Sequence, residues 1–267
     1  MNNLHRKLAP ISEKAWDQIE LEAARTLKRH LAARRVVDVQ GPKGSEFSAV
    51  GTGHMAKIQA PDGGIEAHLR EAKPLVEFRV PFELSRRSLD SVERGANDPD
   101  LQPLKDAARK IAFAEDRAVF EGYEHGHIEG IRKGTSNEAI ALPKDVTGYP
   151  GAVARAVSQL REMGVNGPYT LLLGEQAYTA VSAATQHGYP VARDMRNLVD
   201  GEIIWAPAIQ GGVVLSTRGG DFELYLGQDI SIGYLSHSES AVQLYLQESF
   251  TFLQLTAEAA VVLSADK

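Results

Sequence analysis

Between Gly41 and Ala72 the chain holds six of its 24 glycines, including Gly41, Gly44, Gly51, Gly53 and the Pro61-Asp62-Gly63-Gly64 turn, and its apolar side chains there are scattered. Such a segment cannot bury itself, because ordering each residue costs about 1–2 kcal/mol of backbone entropy and little apolar burial is on hand to offset it. It is either disordered or an extended arm. The alternation of Ile65, Ala67 and Leu69 favours an arm of two strands. Two strands alone are marginal in water, so the arm is expected to need a neighbouring subunit to complete it.

Elsewhere the 267 residues suffice for a sizeable core, as one large domain or two small ones, with 43% hydrophobic and 24% charged residues. No run is long enough for a membrane span, and Met1-Asn2-Asn3-Leu4-His5-Arg6 lacks the apolar stretch of a secretion signal. A cytoplasmic location without a membrane partner is expected. Cysteine is absent, which removes disulfides, thiolate nucleophiles and Cys-based metal sites together. The formal charge of −6 argues against a nucleic-acid partner, for which a basic footprint is the usual sign.

Ser12 reads as the N-cap of a helix reaching about Ala33, in which Trp16, Ile19, Ala23, Leu27 and Leu31 form one apolar stripe. Acidic residues fill its first half and basic residues its second, as the helix dipole favours. Val76, Phe78, Val80, Phe82 and Leu84 alternate with polar residues and predict a strand; a helix follows from about Pro103 to Glu121, with Gly122 as its stop. Helices near 152–163 and 176–184 alternate with strands at 169–173, 203–206 and 213–217, the pattern of an inserted α/β lobe. In Thr217–Tyr234, Phe222, Leu224 and Leu226 and then Ile230, Ile232 and Tyr234 follow period two on either side of Gly227-Gln228-Asp229, which predicts a hairpin with one buried face.

Signals for chemistry are weak. His125, His127 and Glu129 would share one side of a strand, but the glycines at 122, 126 and 130 fit a loop equally well, and no metal site is expected. Gly51-Thr52-Gly53-His54-Met55-Ala56 matches a relaxed dinucleotide fingerprint, yet Pro61 and the following glycines leave no room for the helix it requires. No Gly-x-Ser-x-Gly elbow is present and no triad can be chosen, so no catalytic residue is assigned.

The stretches TRGGDFELYLGQDISIGY (217–234), GPYTLLL (167–173), DGEIIWAPAI (200–209), VERG (92–95) and YLQESFTF (245–252) closely resemble the encapsulins, bacterial proteins that assemble into hollow, cargo-filled shells. The likeness runs from Leu4 to about Leu263. It implies an α+β fold like the major capsid protein of tailed phages, with a peripheral domain, an axial domain and an extended loop, plus an N-terminal amphipathic helix facing the lumen. On that reading 1–40 is the helix and first strand, 41–72 the extended loop, 73–137 with 217–267 the peripheral domain, and 138–216 the axial domain. The resemblance further implies a shell of about sixty copies in the smallest icosahedral case. A cargo enzyme would be held by its C-terminal targeting peptide, with a dye-decolourising peroxidase as first expectation and a ferritin-like protein as second.

Positions matching the family's peptide groove are Leu27, Arg34, Asp38, Ile230, Ile232 and Tyr234, the apolar ones suited to peptide side chains and the charged pair to peptide charge or backbone. Gln186, His187, Gly188 and Tyr189 match the loop around the five-fold pore. Some relatives stack a flavin on a tryptophan preceding the Glu-Arg-Gly motif; Arg87 stands there in this chain, and no cofactor is expected. The other readings left open are a soluble α/β enzyme, a secreted bacteriocin or protease, an older label for similar sequences, and a viral capsid protein, which should show a basic interior.

Overall fold

Ser12 starts the first helix, its hydroxyl accepting the backbone N–H of Ala15 at 3.3 Å. The computed structural model describes residues 3–186 and 188–265. Helix α1 (Glu13–His30) buries Ala15, Ile19 and Ala23 and leaves Trp16 and Leu27 half-buried at the rim, as the stripe predicts. It ends three residues before the expected Ala33, in a short 3-10 turn over Ala33–Arg35. Strand β1 (Asp38–Gln40) leads to β2 (Ala49–Ile58) and β3 (Ala67–Pro74), which pair antiparallel with each other as a separate two-stranded sheet. The segment 41–72 therefore carries a two-stranded sheet of its own.

The chain then returns through β4 (Val76–Ser85), α2 (Arg86–Glu93) and α3 (Gln102–Phe120). After α4 (Ile131–Gly134) and β5 (Ile140–Ala141), the α/β lobe comprises α5 (Tyr149–Glu162), β6 (Tyr169–Leu173) and α6 (Glu175–Ala183). It continues through β7 (Thr185–Gln186), β8 (Tyr189–Pro190), α7 (Val191–Val199), β9 (Ile203–Trp205) and β10 (Gly212–Ser216). Four strands close the chain: β11 (Phe222–Leu226), β12 (Ser231–His237), β13 (Ala241–Gln254) and β14 (Ala260–Ser264).

Strand β13 is the spine of the larger assembly of strands. On one edge it pairs with β4 from Ala241↔Ser85 to Phe250↔Val76; on the other it pairs first with β12 and then with β11. The expected hairpin at 227–229 is thus corrected. β11 and β12 lie end to end along one edge of β13, and Gly227-Gln228-Asp229 is an irregularity between them, with Gly227 N–H bonded to the Ser249 carbonyl and Ser249 N–H to that of Gln228. Period two holds on both strands, but the chain does not reverse between them. The second sheet runs β5-β14-β10-β6-β9, so the last strand of the chain belongs with the lobe, across the boundary expected at residue 217. One core cluster accordingly joins Leu171, Leu172, Val213 and Val261 of the lobe to Phe222, Phe250 and Phe252 of the larger sheet.

The 125–129 segment is a turn: Glu124–Gly126 is a 3-10 turn, His127 is left-handed at φ 56°, and Tyr123 and Ile128 bridge across it. No group of three metal-ligating side chains occurs among the described residues. None of the described helices is long and apolar enough to cross a membrane.

Gly122 ends α3 as expected, at φ 90°, and a Cβ there would stand 2.1 Å from the Glu129 carbonyl oxygen. Gly164, just past α5, has φ 76° but open space around it. Ala at Gly164 should therefore cost about 1 kcal/mol of backbone strain, whereas Gly122→Ala adds a clash with backbone and should cost about 2 kcal/mol more. Thermal denaturation of the two variants checks this; equal losses would show that the turn yields freely.

Candidate functional site

Helix α1 and strand β12 reach solvent at the edge of a second core cluster built from α1, α2, α3, β4, β12 and β13. Ile232 lies inside it at 6% exposure, while Leu27, Ile230 and Tyr234 pack on it half-buried. The structure thus brings four of the six sequence-selected residues onto one apolar patch. Gly233 lies between them because the Tyr245 ring occupies the space its side chain would need, 2.1 Å from a Cβ.

Arg34 and Asp38 are engaged elsewhere within the subunit. Arg34 Nε donates to both Glu115 oxygens at 2.9 Å, Nη1 to Asp229 Oδ1 at 2.7 Å and Nη2 to Glu248 Oε2 at 3.3 Å. Glu115 and Glu248 are completely buried, on α3 and β13. Asp229 Oδ1 also accepts the Ile230 N–H at 2.7 Å, so the same carboxylate that meets Arg34 fixes the residue at the start of the patch. Next to Glu115, Asp116 accepts the backbone N–H groups of Ala32 at 3.0 Å and Ala33 at 2.9 Å. Asp38, on β1, accepts the Gly220 N–H at 2.6 Å and pairs in register with Glu223, away from β12.

At its other end the patch meets the chain's own N-terminal segment. The Leu4 carbonyl accepts the Tyr234 N–H at 2.8 Å and the Asn3 carbonyl accepts the Tyr245 hydroxyl at 3.2 Å. Arg6 pairs with Glu20 and stacks 4.2 Å over the Trp16 ring. Nothing local in the sequence pairs residues 3–6 with a strand more than two hundred positions away, and the sequence reading assigned them no role. Of the expected pore loop, Gln186 and Tyr189 pair in the two-stranded β7–β8 turn, Gly188 has φ 84°, and Tyr189 is 62% exposed. His187 lies outside the described residues.

A family model described as "Encapsulating protein for peroxidase" matches residues 1–251. The chain is 56% identical over 264 residues to a type 1 encapsulin shell protein of Rhodococcus erythropolis, covering 99% of this chain and 100% of that one. It is 58% identical over 265 residues to one of Mycolicibacterium paratuberculosis, with the same coverage. The chain belongs to the type 1 encapsulin shell proteins. Its fold is similar to that of a virus-like particle from Pyrococcus furiosus, with a TM-score of 0.64 at 16% identity over 93% of this chain and 98% of that one. The capsid of Myoviridae phage XM1 gives 0.56 at 10% identity over 88% and 92%. The expected α+β, phage-capsid-like fold is therefore present, and the encapsulin family is one of structural shell proteins rather than enzymes.

In this encapsulin chain the buried charges set a pH dependence. Burial alone would lower the Arg34 pKa, but the hydrogen bond and charge of Glu115, then Asp229, raise it overall. Burial pushes Asp116 up to about 7, against the backbone bonds from Ala33 and Ala32 that pull it down. Glu248 is raised by burial and then by the charge of Glu115. Because folded Asp116 holds a proton that the unfolded chain releases near pH 4, its contribution is fully present below about pH 4 and is lost as the pH rises through about 7. Asp116→Asn cannot ionise, so it should flatten the fall in melting temperature between about pH 5 and about pH 8, while losing one backbone bond worth about 1 kcal/mol at the lower pH. Parallel pH slopes for variant and parent would exclude Asp116 as the titrating group. Arg34→Ala strands two buried carboxylates and should cost about 3–5 kcal/mol at any pH near neutral; denaturant titration measures it, and a loss under about 1 kcal/mol would place the network in water.

Proposed function

We propose that the chain assembles with copies of itself into a closed icosahedral shell of about sixty subunits. That shell encloses a cargo enzyme held by its C-terminal targeting peptide. The observation carrying this reading is the arm, alongside the full-length likeness to shell proteins. β2 and β3 have only each other as strand partners, and Met55, Ile58, Ile65 and Leu69 expose large apolar side chains on and between them. A flap of that kind is stable when another subunit covers it.

The docking floor is the α1–β12 patch of Leu27, Ile230, Ile232 and Tyr234, on which an extended peptide can bury alternate side chains. Arg34 serves it by positioning, through Asp229 and the Ile230 N–H. Asp38 lies on β1 with its carboxylate already bonded to Gly220, so it adds to the groove by holding β1 in place. The words "encapsulating protein for peroxidase" in the family description support a dye-decolourising peroxidase as cargo, with a role in oxidative stress, ahead of a ferritin-like protein. The exposed Tyr189 on the β7–β8 turn supports the loop from Gln186 to Tyr189 as the rim of the five-fold pore. The shell would lie in the cytoplasm, without membrane or nucleic acid.

Deleting residues 46–70 should leave small oligomers or aggregates in place of shells, read by size-exclusion chromatography and electron microscopy. Shells of parental size would remove the arm from assembly. Losing one buried apolar contact weakens binding by roughly tenfold to a hundredfold, so Leu27→Asp with Ile230→Asp should abolish loading of co-expressed cargo while shells still form. Cargo at the parental ratio in intact double-variant shells would put the dock elsewhere on the inner wall.

A further inference from the structure

The outer edge of β12 has a tenant. In an antiparallel ladder the N–H and C=O of alternate residues point inward and outward together. Tyr234 turns outward, since its N–H meets the Leu4 carbonyl and not β13, and the same alternation turns Ile232 outward two positions earlier. An outward row of donors and acceptors beside half-buried apolar side chains is what strand addition requires: backbone pairing along the edge and a pocket for every second side chain. Leu4 already behaves as such an added residue. It is 8% exposed, pairs through its backbone with Tyr234, and follows Asn3, whose carbonyl is held by Tyr245.

What holds this segment is slight and mostly at the surface. Besides those two bonds and the burial of the Leu4 side chain, Arg6 contributes an ion pair with Glu20 and its stacking on Trp16, and Leu8 is left 67% exposed. Exposed ion pairs add little, and short terminal segments open at low free-energy cost. The opposite end of the patch is anchored quite differently, by Arg34 among buried carboxylates.

We propose that residues 3–8 form an exchangeable strap on the β12 edge, and that loading replaces Leu4 with an apolar residue of the cargo's extended C-terminal tail at Tyr234. This rests on the docking reading above. The strap keeps the edge paired in an empty shell, where a bare strand edge would invite mispairing. It also makes the tail compete with a tethered segment, whose high effective concentration weakens the apparent affinity of the incomer.

The test uses assembled shells of the full chain and a monomeric fluorescent protein carrying the tail of the cargo that co-purifies with them, co-expressed in limiting amount. Two variants loosen the strap: deletion of residues 2–7, and Leu4→Ser with Arg6→Ala, which keeps the chain length if the deletion fails to fold. Both should raise apparent affinity about tenfold, seen as more reporter copies per shell by native mass spectrometry. In empty shells both should speed hydrogen exchange at the Tyr234 amide, and a bound tail should restore its protection. Unchanged loading, or loading that falls, overturns the proposal, the latter by making the strap a wall of the groove. A parallel Leu27→Asp/Ile230→Asp arm separates the two claims. If that arm loses the reporter while strap variants load as the parent does, the dock stands and the exchange fails; if it loads normally, both fail.

Discussion

One guanidinium joins four parts of this subunit that the chain brings from far apart. Arg34 follows α1, Glu115 lies on α3, Glu248 on the sheet spine β13, and Asp229 in the irregularity between β11 and β12. Its planar fork meets Glu115 through two nitrogens and still has one for Asp229, a geometry that a lysine ammonium cannot reproduce. Three carboxylates around one cation leave excess negative charge in a buried site, and the Glu248 pKa is raised there by burial and then by the charge of Glu115. Such a cluster adds little net stability compared with apolar packing, but its geometry admits few alternatives. It sets where α1 ends against the sheet, with Leu27 and Ile230 both packed on the same core cluster.

Local patterns were legible in the sequence and long-range partners were not. The Ser12 cap, the α1 stripe, β4 and the Gly122 stop each depend on residues within a few positions, and all stand where the pattern put them. The alternation around Gly227 failed as a hairpin for a definite reason: period two records which face is buried and says nothing of which strand lies alongside. Gly227 is there for close approach, since a Cβ would meet Ser249 Oγ at 2.6 Å and a Leu75 methyl at 2.8 Å. β14 likewise gave an apolar run with no mark of its destination. At the candidate site, apolar Leu27, Ile230, Ile232 and Tyr234 were recognisable as a surface, whereas the charges of Arg34 and Asp38 found partners 81 and 182 positions away, beyond the reach of any local signal.

The arm and the two cores show how the subunit divides its apolar surface. Both apolar clusters close within one chain. The β2–β3 pair does the opposite, turning Met55, Ile58 and Leu69 to solvent on strands that, among the described residues, pair only with each other. In the proposed shell, such an arm would give each folded copy a surface to trade with identical neighbours.

The two ends of the α1–β12 patch differ in the strength with which they are held, and that difference gives the patch a direction. At the Ile230 end, opening would break the Arg34 hydrogen bonds to Asp229, Glu115 and Glu248 together. At the Tyr234 end it would break one backbone bond to Leu4, one hydroxyl bond to Asn3 and an ion pair already in contact with water, and would expose the one buried side chain of Leu4. Local opening follows the lower cost. On the proposed docking reading, fluctuation would start at the N-terminal segment and die out toward Arg34, and the Arg34 end would define the register of an extended chain on β12.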